Sequence, residues 1–373
     1  SFDKMAGTRK RVESRRYVSL VLFLLLHFNL VNSDVQCLSA TNRYIDWFIV
    51  YKLPVLENHN KHDPSGESFY YMDASSPEWK FSDVGMSDSG HAVYNTLQQI
   101  YKNLTRGPDS MYLMYNDETP TTLSDSLKYG HTKGVVAFGK SAGFWMLHST
   151  PKFPPRQAEG YTWPASGDIY GQTFLCISLS KSTMENLGIQ LQYNYPQIYD
   201  KYFPKSLAAQ YPQMAAVAMA SSQKHPTKEP WYRQTRLSSL GGQEFTSFAK
   251  FSKFGKDLYS TWLAESLGSD LYVETWQNGA KKYKLNSSCT TQFKVYNVED
   301  ITFSNKVTFK ETKDHSKWAI TTNSDSKKWT CIGDINRMSS QFHRAGGTAC
   351  FQNPSVWKNF YMLISDYEPC PRH

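Results

Sequence analysis

Residues 131–148 read HTKGVVAFGKSAGFWMLH, and residues 315–333 read HSKWAITTNSDSKKWTCIG. Each stretch opens on a histidine, places a lysine two positions on, and runs through two short apolar segments parted by a polar turn. In the first stretch the segments are Gly134 to Phe138 and Phe144 to Leu147, around Gly139-Lys140-Ser141-Ala142-Gly143. In the second they are Trp318 to Thr321 and Trp329 to Ile332, around Asn323 to Lys328. Such β-rich runs about a short polar turn predict hairpins. In extended backbone, residues i and i+2 share a face, so each His-x-Lys triplet presents an imidazole and an ammonium together. One triplet is weak evidence. Two, heading similar hairpins in distant parts of the chain, predict an α/β fold of two halves related by a pseudo-twofold, each a mixed sheet flanked by helices, with one site between them.

Outward from these hairpins, residues 46–53 (DWFIVYKL) predict a core strand stopped by Pro54, and Met111 to Tyr115 another ending at Asn116-Asp117. Val93, Leu97, Ile100, Tyr101 and Leu104 recur at helical spacing, as do Phe251, Phe254, Leu258 and Trp262. Off the second stripe, Lys250, Lys253 and Lys256 are expected on a solvated helix face, with contact to a DNA backbone as the alternative. The Pro- and Lys-bearing stretch from Ser221 to Pro230 is the internal boundary, dividing residues 34–220 from 221–373.

Residues 1–33 carry a basic stretch, an apolar run from Tyr17 to Leu26, and Val31-Asn32-Ser33 as a cleavage site: the layout of a secretory signal peptide. His27 and Asn29 interrupt the run, which is shorter than a membrane-spanning helix requires. The chain of 373 residues has a net charge of +8. Residues 1–33 hold six Lys or Arg against Asp3 and Glu13, so the remainder is only about +4, which permits a polyanionic substrate without demanding one. Nine of the ten histidines lie beyond that segment and add positive charge as pH falls through about 6.5. The six cysteines (Cys37, Cys176, Cys289, Cys331, Cys350, Cys370) include no CxxC pair, so three disulfides in an oxidising compartment are expected, with no zinc grip. The pairing is open at this point. Two sequons, at Asn103 and Asn286, agree with passage through the secretory pathway.

Two histidines and two lysines around one phosphate are what metal-free phosphodiester cleavage requires. A neutral imidazole attacks phosphorus, a protonated one supplies the leaving oxygen's proton, and the ammonium groups offset the charge on the remaining oxygens. Each hairpin also ends on a further polar group: His148-Ser149 in the first, and Gly333-Asp334-Ile335-Asn336 in the second.

At these residues the chain resembles the deoxyribonuclease II family, an offshoot of the phospholipase D superfamily, whose pattern is His-x-Lys followed by Gly-Ser-x-Asn, twice. The resemblance also covers Asp46–Phe48 with Tyr51–Pro54, Leu113–Asp117, Gly130–Gly134, Gly143–Pro155, Ser247–Trp262, Asp314–Trp318 and Trp329–Arg337. It implies phospholipase D-like halves and an acid endonuclease acting on DNA without a divalent cation or cofactor, in a lysosome or outside the cell. The products implied have 3′-phosphate and 5′-hydroxyl ends. It further implies disulfides Cys37 to Cys176, Cys289 to Cys370 and Cys331 to Cys350. Carried over by position, His131, Lys133, His148, His315 and Lys317 form the catalytic set and Asn336 binds phosphate. His131 is the expected nucleophile and His315 the general acid, the reverse remaining open. A DNA-binding or toxic protein that has lost catalysis, and a phosphodiesterase for RNA or lipid, are the alternatives.

The chain departs from the superfamily pattern in ways that argue against a lipid substrate. Phe138 and Thr322 stand where phospholipases place an aspartate five residues after the lysine, so the group orienting each imidazole is unidentified. His148 ends a stretch that lacks Gly-Ser-x-Asn, and Ala319 replaces an extra cysteine of some relatives. Asp314 is expected to be structural, facing away from His315. His343-Arg344 beside Gly346-Gly347 suits either a phosphate contact or a turn closed by a disulfide. His59, His62, His91 and His225 are expected at the surface, and Trp145, Trp318 and Trp329 in the core.

Overall fold

In the computed structural model, which describes residues 34–56, 66–104, 106–120, 127–219, 224–304, 307–322 and 326–371, the run at 46–53 becomes strand β1 (Trp47–Lys52). Alternation explains its burial on both faces: Trp47, Ile49 and Tyr51 turn to one apolar cluster, Phe48 and Val50 to another. There follow β2 (Phe69–Asp73), β3 (Ser76–Phe81), helix α1 (Ala92–Gln98), β4 (Met111–Asn116), β5 (Lys133–Phe138), β6 (Ala142–His148), β7 (Gln172–Ser180), α2 (Met184–Asn194), β8 (Ile198–Tyr202), α3 (Lys205–Gln210) and α4 (Pro212–Ala218). Their strands form one sheet in the order β3-β2-β1-β7-β6-β5-β4-β8. Every pairing in it is antiparallel.

The second sheet uses β9 (Tyr232–Ser238), β10 (Glu244–Lys250), β11 (Leu271–Thr275), β12 (Val295–Thr302), β13 (Thr308–Lys310), β14 (Lys317–Thr321), β15 (Trp329–Gly333), β16 (Gly346–Gln352) and β17 (Ile364–Tyr367), with helices α5 (Ala264–Leu267) and α6 (Pro354–Tyr361). The order is β13-β12-β11-β14-β15-β16-β10-β9, with β17 on β12. Its mixed character rests on one parallel pair, β11 with β12. A five-strand order recurs: β4-β5-β6-β7-β1 in one sheet and β11-β14-β15-β16-β10 in the other. In both, the strand at one end (β1, β10) leads through helix to the strand at the other (β4, β11).

The inward faces of the two sheets share one core, in which Trp145, Leu175 and Ile177 meet Trp318, Ile332 and Phe351, with α2 (Leu187, Leu191) and α6 (Val356, Phe360) between. Outside, Val93 and Leu97 of α1 cover the first sheet, and Leu258 and Leu263 cover the second. Helices thus lie outside and between two sheets, and residues 34–373 form one compact unit.

Several sequence expectations change. The first hairpin turns more tightly: Phe138 pairs with Gly143 and the Gly139 amide bonds to the Ala142 carbonyl, so pairing consumes residues assigned to the loop. The helix expected from Phe251 begins only at Leu258, because Gly255 takes a left-handed φ of 68° that ends the short turn at Ser252–Phe254. Lys250 therefore ends β10 and is fully buried, its ammonium donating to the Gln341, Phe342 and Arg344 carbonyls, while Lys253 and Lys256 are exposed. His91 is not a surface residue. It caps α1 through Nδ1, which accepts from the Tyr94 amide, and packs against Phe69 and Tyr161. His225 is exposed, Trp145 and Trp318 are buried, and Trp329 is partly buried.

The sulfurs pair as Cys37–Cys176, Cys289–Cys370 and Cys331–Cys350, the last joining β15 to β16 in register. Cys37–Cys176 spans 139 residues and pins the N-terminal segment to β7. A Cys37→Ser/Cys176→Ser double variant is expected to lose about 2–5 kcal/mol of stability, measured by thermal or denaturant unfolding. The expected signal segment (1–33), His59, His62, part of the expected boundary (221–223) and Thr105 of the first sequon lie outside the described residues. Asn286 is exposed. No helix among the described residues is long and apolar enough to cross a membrane.

Candidate active site

Lys133 opens β5 opposite Asn116 of β4, and Lys317 opens β14 opposite Thr275 of β11. Two residues upstream stand His131 and His315, 8% and 5% exposed. Each histidine is held by the other half of the repeat. The His131 amide donates to the Ala345 carbonyl just before β16, and the His315 amide to the Gly171 carbonyl just before β7. The imidazoles follow the same exchange: His131 Nδ1 lies 2.7 Å from the Asp334 carbonyl oxygen, and His315 Nδ1 lies 3.0 Å from that of Ser149. A carbonyl oxygen only accepts, so Nδ1 carries the hydrogen and Nε2 keeps its lone pair free. The groups that orient the imidazoles are therefore main-chain carbonyls, at the residues that follow β6 and β15. No sequence motif announces a carbonyl, so the sequence alone does not reveal them.

The middle residues of the triplets face the other way. Thr132 Oγ1 donates to Asp334, at 2.7 Å, and Ser316 Oγ donates to Asp314, at 2.8 Å. Asp314 also accepts from Tyr51, so it is a buried structural anchor, as its parity on the strand predicts.

Charge is distributed unevenly around the two imidazoles. Lys133 is paired to Asp117, which also binds the Arg344 guanidinium at 3.2 Å and lies 4.0 Å from His131 Nε2. Burial pushes the Asp117 carboxyl up, but Lys133, His131 and Arg344 outweigh it and hold it well below the usual range. Lys317 donates to the His315 carbonyl at 2.6 Å, and burial together with the Lys133 charge lowers its ammonium to about 7. Burial drives both imidazoles well below their ordinary value. For His131 the Asp117 carboxylate opposes this while Lys133 and Lys317 reinforce it. For His315, Lys317, Lys133 and His131 all reinforce it. Each imidazole thus feels the lysine of the opposite triplet, so the four predicted groups share one electrostatic site.

His148 ends β6 beside these groups, stacked 5.4 Å from Phe174 and edge-on to Phe153 at 5.6 Å. Burial, then the Lys133 charge, lowers it to about 3. Its nitrogens have only a weak contact with the Thr150 backbone, and Asn336 Oδ1, Asp334 Oδ1 and Trp276 Nε1 lack a hydrogen-bond partner among the described residues. An unsatisfied buried polar atom costs about 1–3 kcal/mol, so such a concentration marks a place built for polar guests. No group of three or more His, Cys, Asp and Glu residues among the described residues is arranged to hold a metal ion.

Sequence reasoning missed Asp117, Tyr170 and Trp276, and left Arg344 undecided. Each lies just beyond or just before a strand, and only the exchange between halves brings it to a histidine.

Comparison with known proteins identifies the family of the chain. The family model described as Deoxyribonuclease II matches residues 36–370. Plancitoxin-1 of Acanthaster planci is 45% identical over 340 residues, covering 90% of this chain and 92% of that protein. Deoxyribonuclease-2-alpha of Mus musculus is 40% identical over 341 residues, covering 90% and 94%. Deoxyribonuclease-2-beta of Homo sapiens is 34% identical over 351 residues, covering 94% and 96%. With a match spanning nearly all of the chain beyond residue 35 and full-length relatives at such identity, the chain belongs to the deoxyribonuclease II family.

Proposed function

We propose that this deoxyribonuclease cuts DNA internally at acid pH, without a divalent metal, through a phosphohistidine intermediate, leaving 3′-phosphate and 5′-hydroxyl ends. The reading is carried by two imidazoles whose Nδ1 atoms are bound by carbonyls of the opposite half, which leaves two Nε2 atoms free beside two lysines.

His131 Nε2 attacks phosphorus, the P–O5′ bond breaks, and the departing oxygen takes the proton of the His315 imidazolium. With Nδ1 still protonated, the phosphorylated His131 ring is cationic, and the Asp117 carboxylate beside it stabilises that charge. The neutral His315 then accepts a proton from water, whose oxygen attacks phosphorus, breaks the N–P bond and frees the 3′-phosphate. Lys133 and Lys317 supply the positive charge that a divalent cation would otherwise bring to the phosphate oxygens. Asn336 donates an amide hydrogen to phosphate, and His148, buried beside Lys133, binds phosphate or assists proton transfer. Burial and the Lys317 and Lys133 charges all oppose a proton on His315, so its imidazolium is populated only in acid, and Lys317, half-charged near pH 7, is fully charged only in acid too. Three disulfides support a secretory destination, lysosomal or extracellular.

Supercoiled plasmid at about pH 5 in excess chelator is expected to be nicked at full rate. Its new ends should accept phosphate from a polynucleotide kinase without prior phosphatase treatment. Loss of nicking in chelator, or ends that need phosphatase first, contradicts the proposal.

A further inference from the structure

The two halves place equivalent residues beside their histidines, and those residues differ in chemistry. Asn116 pairs with Lys133 as Thr275 pairs with Lys317, so Asp117 and Trp276, the next residues, occupy equivalent positions. Ala345 and Gly171 hold the His131 and His315 amides, so Arg344 and Tyr170, the residues before them, are equivalent too. Beside His131 the pair is ionic and closed on itself, Asp117 with Arg344. Beside His315 it is aromatic: the Tyr170 and Trp276 rings lie 5.6 Å apart, and Trp276 meets the imidazole edge-on at 4.7 Å.

The aromatic pair does not serve the core. Neither ring belongs to the three apolar clusters, and both are only partly buried. The indole Nε1, a group that can only donate, is buried without a hydrogen-bond partner among the described residues. The rings are nevertheless firmly placed. Trp276 follows β11, and Tyr170 precedes Gly171, whose backbone bonds both Lys313 and His315. A Cβ on Gly171 would press into the Asp314 carboxylate, so only glycine lets this segment approach so closely.

We propose that Tyr170 and Trp276 form a platform for one nucleobase of the substrate, the base of the nucleoside whose 5′-oxygen leaves. This rests on the nuclease reading above, in which His315 protonates that oxygen, so the departing nucleoside lies on the His315 side. Its base stacks on the partly exposed rings. Stacking of one base on an aromatic side chain is worth about 1–3 kcal/mol, a factor of about 5 to 150. A stacked base must leave its neighbours, so single strands or locally opened duplex are favoured over intact duplex.

The test compares thymidylyl-(3′→5′)-thymidine with analogues lacking either the base 3′ or the base 5′ of the phosphate, at acid pH. In wild-type protein, removing the 3′ base is expected to lower kcat/KM by about 5- to 150-fold. In Trp276→Ala the intact and 3′-abasic substrates should be cleaved within about twofold of each other, with Trp276→Phe intermediate. A merely structural tryptophan would lower both rates and leave their ratio unchanged, which overturns the platform. So does a wild-type preference that depends only on the 5′ base. Should Trp276→Ala fail to fold, Tyr170→Ala carries the same comparison. If wild-type protein nicks plasmid but shows no base dependence here, the platform alone falls; if it cleaves no DNA, the nuclease reading falls and the platform with it.

Discussion

His315→Ala protein mixed with the nitrophenyl ester of thymidine 3′-phosphate is expected to release one equivalent of nitrophenolate and then stop, whereas His131→Ala releases none. Nitrophenolate is a good leaving group that departs without a proton, so this substrate bypasses the general acid and still needs the nucleophile. Once His131 is phosphorylated, the missing His315 is felt as the missing base for water, and the phosphoenzyme accumulates for detection by mass or acid lability. On DNA, whose alkoxide leaving group needs the proton, both variants should lose roughly 10⁴-fold or more. The Asp117 carboxylate is the basis on which the proposal assigns the two roles. It lies 4.0 Å from His131 Nε2, where the proposed cationic phosphohistidine would form, whereas the leading charges on His315 are the Lys317 and Lys133 ammoniums. A burst from His131→Ala and none from His315→Ala would reverse the roles. Steady turnover by both variants would remove covalent catalysis altogether.

The strands of this fold are legible because they are two-sided. Trp47, Ile49 and Tyr51 against Phe48 and Val50 form a continuous apolar run that stops at a proline, and the repeated hairpins announce themselves through His-x-Lys. What cannot be read is whatever depends on the exchange between halves. Ser149 and Asp334 act through carbonyl oxygens that every residue possesses, so their sequence identity carries no signal. Asp117 resembles an ordinary turn residue after a strand until Arg344, 227 positions away, is brought against it. Lys250 and His91 mislead for a related reason. Polar residues are read as exposed, yet carbonyls gathered from residues 341–344 solvate the first, and a helix N-terminus uses the second. Because each half completes the other's histidine, neither half is expected to hold a competent site alone.

The lysines offer the sharpest separation of chemistry from folding, because their removal moves a pH profile as well as a rate. Lys317 is fully buried, and methionine is unbranched and one atom shorter without its charge, so Lys317→Met is expected to fold and to lose about 10²- to 10³-fold in kcat through the unbalanced phosphate charge. The sign of the accompanying shift follows from its neighbours. The Lys317 ammonium pushes both His131 and His315 down, so its removal lets both rise. The alkaline limb, where His315 loses its proton, then moves to higher pH. The acid limb, where His131 gains one, moves the same way, so the whole bell shifts upward even as its height falls. Lys317→Arg keeps the charge and should keep the bell near its original position, losing only what the altered reach of the donor costs. Measured as kcat/KM on plasmid between about pH 3 and pH 8, a Lys317→Met bell that falls without moving, or moves toward acid, would mean that the ammonium does not share a site with the two imidazoles.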